Sequence, residues 1–250
     1  MFNYWIFYWF NFTHGEWEKN KKLKKISLIF FLLIIPISAQ SDSTKWRQFL
    51  RLGAAGVDSS NGAFGYYRLN MQTKTIFRDL RLFTYGLDNN SFVHLRYKSS
   101  DKYISRPNFY RYTITSFRKN TRVNLNLQYH FNQGFGYFIK NYDNGLINAE
   151  VGHAFDTSDY LNATRKTSYL KTGIFWDHNT NYFSSKLEIE YFEQISEVIE
   201  NKLSRGQYLI QLIFPMKKNI FININFEKED FFGEGQTDAS SMSLAIEWNR

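Results

Sequence analysis

TRVNLNLQYHFNQGFGYFIKNYDNGLINAEVGHAF, residues 121–155, is the stretch whose reading decides the fold. Val123, Leu125, Leu127, Tyr129 and Phe131 fall on one side of an extended chain, and Asn124, Asn126, Gln128 and His130 on the other. Side chains of a strand alternate between two faces, so a period of two marks β structure, not helix. A soluble sandwich turns such an apolar face inward. A membrane barrel turns it toward lipid and keeps the polar face around a lumen.

The rest of the chain repeats the pattern. Ser91–Ser100 sets Val93, Leu95 and Tyr97 against His94, Arg96 and Lys98; Asn108–Phe117 sets Tyr110, Tyr112 and Ile114 against Arg111, Thr113 and Thr115. Leu146–Phe155 opposes Ile147, Ala149 and Val151 to Asn148, Glu150 and Gly152. Thr167–Trp176 opposes Leu170, Ile174 and Trp176 to Lys171 and Gly173, and Ser184–Glu193 opposes Leu187, Ile189 and Tyr191 to Lys186, Glu188 and Glu190. Asn219–Glu227 and Ser240–Trp248 alternate equally well, whereas Gln207–Phe214 is more apolar on both faces. With Trp46–Val57, Phe64–Thr73, Ile76–Gly86, Arg122–Phe131 and Gly134–Asn141, the candidates number thirteen. Each is near the ~9–11 residues a tilted strand needs to cross a bilayer. Bacterial barrels have even strand numbers, so one candidate is surplus. Trp46–Ser100 alternates least cleanly and is where the surplus is expected.

Composition agrees with strands that have one greasy and one wet face. Aromatics are 19% of the 250 residues, yet mean hydropathy is −0.45. There is no cysteine, which excludes disulfides and thiolate metal sites. The net charge of +8 falls to +5 once residues 1–39, with five lysines and two glutamates, are set aside. That excess is spread along the chain, without the basic patch of a nucleic-acid-binding protein.

Lys21–Gln40, KKLKKISLIFFLLIIPISAQ, has the three-part layout of a secretory signal peptide, with cleavage expected after Ala39. Its apolar run is shorter than the ~20 residues of a membrane helix. Residues 1–20 precede the basic cluster and depart from that layout; the expectation is an over-extended gene start, with initiation near Leu23. Residues 1–39 are thus read as extension and signal peptide and 40–250 as one β domain. An exported chain with no other apolar helix can span a membrane only as a closed barrel.

Three features favour a barrel over a sandwich. Polar residues rarely intrude on the apolar faces. Aromatics cluster toward strand ends, as at Tyr129, Trp176, Tyr191, Phe214, Phe226 and Trp248, where interfacial girdles belong. Long polar connections (Asp156–Lys166, Gln194–Gly206, Lys228–Ala239) alternate with short ones (Asp143–Gly145, Asp177–Thr180, Met216–Lys218), as outer loops alternate with periplasmic turns. The expected fold is an all-β, antiparallel up-and-down transmembrane barrel of about twelve strands. The lumen-lining candidates on its polar faces are the cations Arg96, Lys98, Arg111, Lys171 and Lys186, the amides Asn124, Asn126 and Gln128, and the acids Glu150, Glu188 and Glu190.

The run Gly134–Phe155, GFGYFIKNYDNGLINAEVGHAF, resembles the paired glycine-aromatic strands of the salt-induced outer-membrane protein family, a domain family of unknown function. Asp58-Ser59-Ser60-Asn61-Gly62 would be its first turn. The resemblance implies an exported barrel of meandering strands and carries no catalytic residues. The chain's last strand, ending SLAIEWNR, resembles the terminal signature of outer-membrane proteins, with Asn249 and Arg250 following the aromatic.

Catalytic motifs are weak. Gly134-Phe135-Gly136 lacks the third glycine and the helix of a phosphate loop. His94, His130, His153 and His178 have no metal-ligand spacing, and no cofactor is expected. Glu188 and Glu190 are read as ion-pair partners of lumen cations. No G-x-S-x-G marks a nucleophile. The first reading is an outer-membrane barrel, structural or a narrow solute pore, without enzyme activity. Its expected partners are outer-membrane lipid and the outer-membrane assembly machinery, with no nucleic acid; its oligomeric state stays open. The alternatives are a barrel lipid hydrolase using a serine with His94 or His130, and a secreted soluble β-sandwich that binds sugars or surfaces.

Overall fold

Apart from register shifts at Arg118/Asn120, Phe138/Lys140 and Pro215/Lys217, outward and inward residues alternate along the described strands, and the result is a closed wall. The computed structural model describes residues 44–57, 60–87, 90–121, 125–158, 165–196, 203–233 and 238–249. The signal-peptide segment, its expected cleavage point and the N-terminal extension lie outside them. Among the described residues there are twelve strands: β1 (Lys45–Val57), β2 (Ser60–Gln72), β3 (Ile76–Leu87), β4 (Asn90–Lys102), β5 (Phe109–Asn120), β6 (Leu125–Tyr142), β7 (Gly145–Ser158), β8 (Arg165–Asn179), β9 (Ser184–Gln194), β10 (Arg205–Lys217), β11 (Ile220–Phe231) and β12 (Ala239–Asn249). Each pairs antiparallel with its sequence neighbours, and β1 pairs with β12, from Phe49↔Asn249 to Val57↔Ser241, closing the barrel. Closure leaves no strand edge unpaired, which the interior of a bilayer requires. No helix among the described residues is long and apolar enough to cross a membrane.

The surplus candidate was not where it was expected. Trp46–Ser100 forms four regular strands, and the two candidates Arg122–Phe131 and Gly134–Asn141 are one, β6. Asn132-Gln133 looks like a break, but the alternation passes through it in phase. Phe131, Gln133, Phe135 and Tyr137 continue one face, while Asn132 is 1% exposed and faces inward.

The faces sort by chemistry. Leu52, Val151, Ile174, Leu244 and Ile246 are among the large hydrophobics left exposed on the outer wall. The residues most deeply buried are largely polar: Asp79, Asn132, Lys171, Asn223 and Glu247. A soluble protein buries its apolar residues and exposes its charged ones; this chain inverts that order, as a lipid-facing barrel does. Three short turns, Asp143-Asn144, Asn181-Tyr182 and Lys218-Asn219, share one rim with the beginning of β1 and the end of β12. Trp176 belongs to the aromatic belt of that rim, its indole Nε1 donating to the Tyr142 hydroxyl at 2.7 Å.

Candidate functional site: the charged interior of the barrel

Residues directly opposite each other on neighbouring strands share a face, so the register places each candidate whose side chain is described. Arg96, Lys98, Gln128, Glu150, Lys171, Lys186, Glu188 and Glu190 all stand on the inner face. Arg111 does not. It pairs with Asp101 on the outer face, where its guanidinium lies 3.2 Å from the Asp101 carboxylate and its side chain is 67% exposed. The phase of β5 is the reverse of that expected. Tyr110, Tyr112 and Ile114 point inward and are buried, because their register sets Tyr110 beside Gly136 and Tyr112 beside Gly134 on β6. A tyrosine looks apolar in an alternation count, but its hydroxyl needs a partner when buried, and the polar interior supplies one. Asn124 lies outside the described residues, as does the side chain of Asn126.

Glu150 is the hub of one half of the interior. Lys98 Nζ approaches it at 2.5 Å and Lys171 Nζ at 2.8 Å. The Tyr110 hydroxyl donates to it at 3.0 Å and accepts from Asn148 Nδ2 at 2.6 Å. Lys171 also reaches Glu190 at 2.6 Å, and Lys186 pairs with Glu188. Both lysines near Glu150 lie over the rings of Tyr112 and Phe175, with Lys171 Nζ 4.9 Å from the Phe175 centroid. The ring faces attract the ammonium groups, so a cation between two carboxylates and two rings is held on all sides.

A second set spans the opposite half, toward the rim of the longer loops. Asp156 receives His130 Nδ1 and Arg205 Nη2, the latter at 3.1 Å. Arg205 also meets Glu229 at 3.0 Å, and Gln207 Nε2 donates to Glu229 at 2.8 Å. Arg118 approaches Glu229 at 3.7 Å. Arg118 is on β5 and Glu229 on β11, six strands apart in a barrel of twelve, so this ion pair crosses the full width of the lumen. Closer to the seam, Asp79 binds Arg68 and Arg81, each at 2.5 Å. Arg51 pairs with Glu247 across β1 and β12 at 2.5 Å and lies over the Tyr66 ring.

Sequence reasoning missed Asp156, Arg205 and Glu229, which it placed in long loops. Those strands run further than bilayer thickness alone suggests. The signal was present: Asp156 continues the inward phase of Asn148 and Glu150, and Glu229 that of Asn225 and Glu227. Asp79 and Arg81 fell in the stretch that could not be sorted by face. The structure resolves it, with Leu80 and Leu82 outward and Asp79 and Arg81 inward.

Between these sets lies a cavity of about 110 Å³ whose wall includes His94, Arg96, Ser116, Arg118, His130 and Arg205. Ser116, His130 and Asp156 occupy consecutive positions of one cross-strand row. That is the order of a Ser-His-Asp relay, with the carboxylate on Nδ1. Among the described residues, however, Ser116 makes no hydrogen bond to His130. No group of three His, Cys, Asp or Glu among the described residues could hold a metal ion.

No known family matches the chain, and no curated protein does. Solved structures are similar to it. The NanC porin aligns with a TM-score of 0.54 over 80% of this chain and 98% of its own, at 8% identity. The KdgM porin in complex with disordered oligogalacturonate aligns at 0.47 over 81% and 98%, at 11% identity. The translocator domain of the autotransporter NalP from Neisseria meningitidis aligns at 0.46 over 92% and 95%, at 6% identity. At such identities the likeness to NanC is one of fold alone. The chain is a twelve-stranded antiparallel transmembrane β-barrel of the kind that outer-membrane porins adopt.

Proposed function

We propose that this protein resides in the bacterial outer membrane and acts as a narrow pore for small polar solutes, without enzyme activity. The observation that carries the reading is the Arg118–Glu229 pair, which crosses the lumen at 3.7 Å. A contact that long between half-buried side chains is weak, unlike the close, buried Lys171–Glu150 pair, and narrows the lumen without sealing it. Barrels of about eight strands are filled by side chains and those of sixteen or more enclose open channels; twelve strands with bridged walls lie between. The rim that carries the three short turns and both ends of the sheet is the periplasmic one in this reading. Outer-membrane lipid covers the wall, and the assembly machinery recognises the last strand through Trp248. The kinship with the salt-induced outer-membrane proteins, resting on Gly134–Phe155, is part of the same proposal.

Single-channel recording in planar bilayers tests it. The wild type is expected to show small, steady conductance, and Glu229→Ala a larger one because the cross-lumen bridge is gone. Bilayers that stay silent with both proteins, although each is folded and inserted, would overturn the reading.

The hydrolase reading has one observation in its favour, the Ser116–His130–Asp156 row. It is separated from the pore by a serine-directed fluorophosphonate: a hydrolase is labelled at Ser116 and loses the label in His130→Ala, whereas a pore is not labelled.

A further inference from the structure

Arg68, Arg81 and Arg96 face one another in register on three neighbouring strands. Like charges directly opposite in a sheet repel, so such a ladder needs acids beside it. Asp79 is the carboxylate that serves it, and it binds Arg68 and Arg81. Arg96, on the cavity wall, makes no ion pair or side-chain hydrogen bond among the described residues. The opposing wall has the converse surplus. Glu188 and Glu227 flank Leu209 in register on β9 and β11, both on the inner face. Glu188 lies within electrostatic reach of Arg81 and Arg96, and Glu227 of Arg81 and Arg118. Glu188 is paired with Lys186, but Glu227 has no ion pair among the described residues. Among the described residues, one wall therefore presents an arginine that touches no carboxylate, and the other a glutamate that touches no cationic side chain.

Building on the pore reading, we propose that the lumen selects small zwitterions, solutes that carry an ammonium and a carboxylate. Arg96 takes the carboxylate, Glu227 takes the ammonium, and the field between the walls orients the molecule across the lumen. A simple anion drawn to the arginine ladder is repelled by Glu188 and Glu227, and a simple cation meets the reverse. Only a solute with both charges is favoured by both walls. Focused fields of this sort raise the local concentration and passage rate of a matching solute.

Uptake into proteoliposomes holding the folded full barrel tests this, with β-alanine as the zwitterion, lactamide as a neutral solute of similar size, and lactate as the anion. β-Alanine is expected to enter about tenfold faster than lactamide at low salt, the lower end of the gain that charged clefts give, with the advantage shrinking as salt screens the walls. Arg96→Gln and Glu227→Gln should each remove the advantage, so that within each variant β-alanine enters no faster than lactamide. The exchange variant Arg96→Glu with Glu227→Arg should restore it, which guards against a single variant that merely misfolds. Equal rates for β-alanine and lactamide would overturn the selection and leave the pore standing, as would lactate entering fastest. If no solute enters at all, pore and selection fall together.

Discussion

Lys171 is a fully buried ammonium, its side chain 0% exposed, standing between Glu150 and Glu190. Such a group is tolerated only while its partners stay ionised and in place. Glu150 is the more critical of the two because it also holds Lys98 at 2.5 Å. Replacing it with leucine strands the Lys98 ammonium and leaves that of Lys171 with Glu190 alone. Removing one partner of a buried ion pair costs on the order of 3–5 kcal/mol, so Glu150→Leu is expected to lower the urea midpoint of the detergent-folded barrel sharply. Lys98→Met should cost clearly less, since Lys171 still neutralises the carboxylate. Adding Lys98→Met to Glu150→Leu should recover part of the loss. Equal midpoints for wild type and Glu150→Leu would mean that water in the lumen, not Glu150, solvates these lysines.

Among the elements, β6 shows most clearly how side chains set strand geometry. Its inward glycines are seats for the rings of β5. A Cβ on Gly136 would sit 2.0 Å from Tyr110 Cζ, and one on Gly134 would meet Val151 O at 2.1 Å and the Tyr112 hydroxyl at 2.9 Å. The tyrosines lie against the wall because nothing projects from it there, and in that pose Tyr110 reaches Glu150 and Tyr112 donates to Asn132 at 3.3 Å. Gly136→Val should therefore tilt Tyr110 out of its bond with Glu150 and destabilise the barrel by about 1–3 kcal/mol, the usual cost of overpacking, read from the same urea midpoint. Gly65→Val on β2 faces outward with only ordinary contacts and should be near neutral. These seats also explain what was legible at this scale. Aliphatic alternation, as in β7, β9 and β11, shows which way a strand faces because Val151, Ile189 and Ile220 of those strands are exposed to lipid on the outer wall. It fails at β5, where Tyr110 and Tyr112 suit a polar interior as well as an oily exterior and Arg111 sits on the outside beside Asp101. The hubs were half legible for a related reason. Glu150, Lys98 and Lys171 could each be assigned to the inner face, but that they meet depends on strands up to four positions apart around the wall, which no local pattern encodes.

For the whole molecule, closure by β1 against β12 puts both ends of the sheet on the rim of the turns Asp143-Asn144, Asn181-Tyr182 and Lys218-Asn219. That polarity can be read out because the chain contains no cysteine. A single introduced thiol is then a clean reporter. Tyr182, 83% exposed in a short turn, marks one rim, and Ser91, exposed near the start of β4, marks the other. In an outer membrane with these short turns on the periplasmic side, Ser91→Cys should react with a membrane-impermeant maleimide on intact cells. Tyr182→Cys should react only after the outer membrane is permeabilised. The reverse pattern would turn the barrel over, placing the Arg118–Glu229 crossing near the periplasmic mouth instead of the outer one. Labelling of both in intact cells would argue against insertion altogether, because a barrel that displays Leu52, Leu244 and Ile246 on its wall has a stable place only where acyl chains cover them.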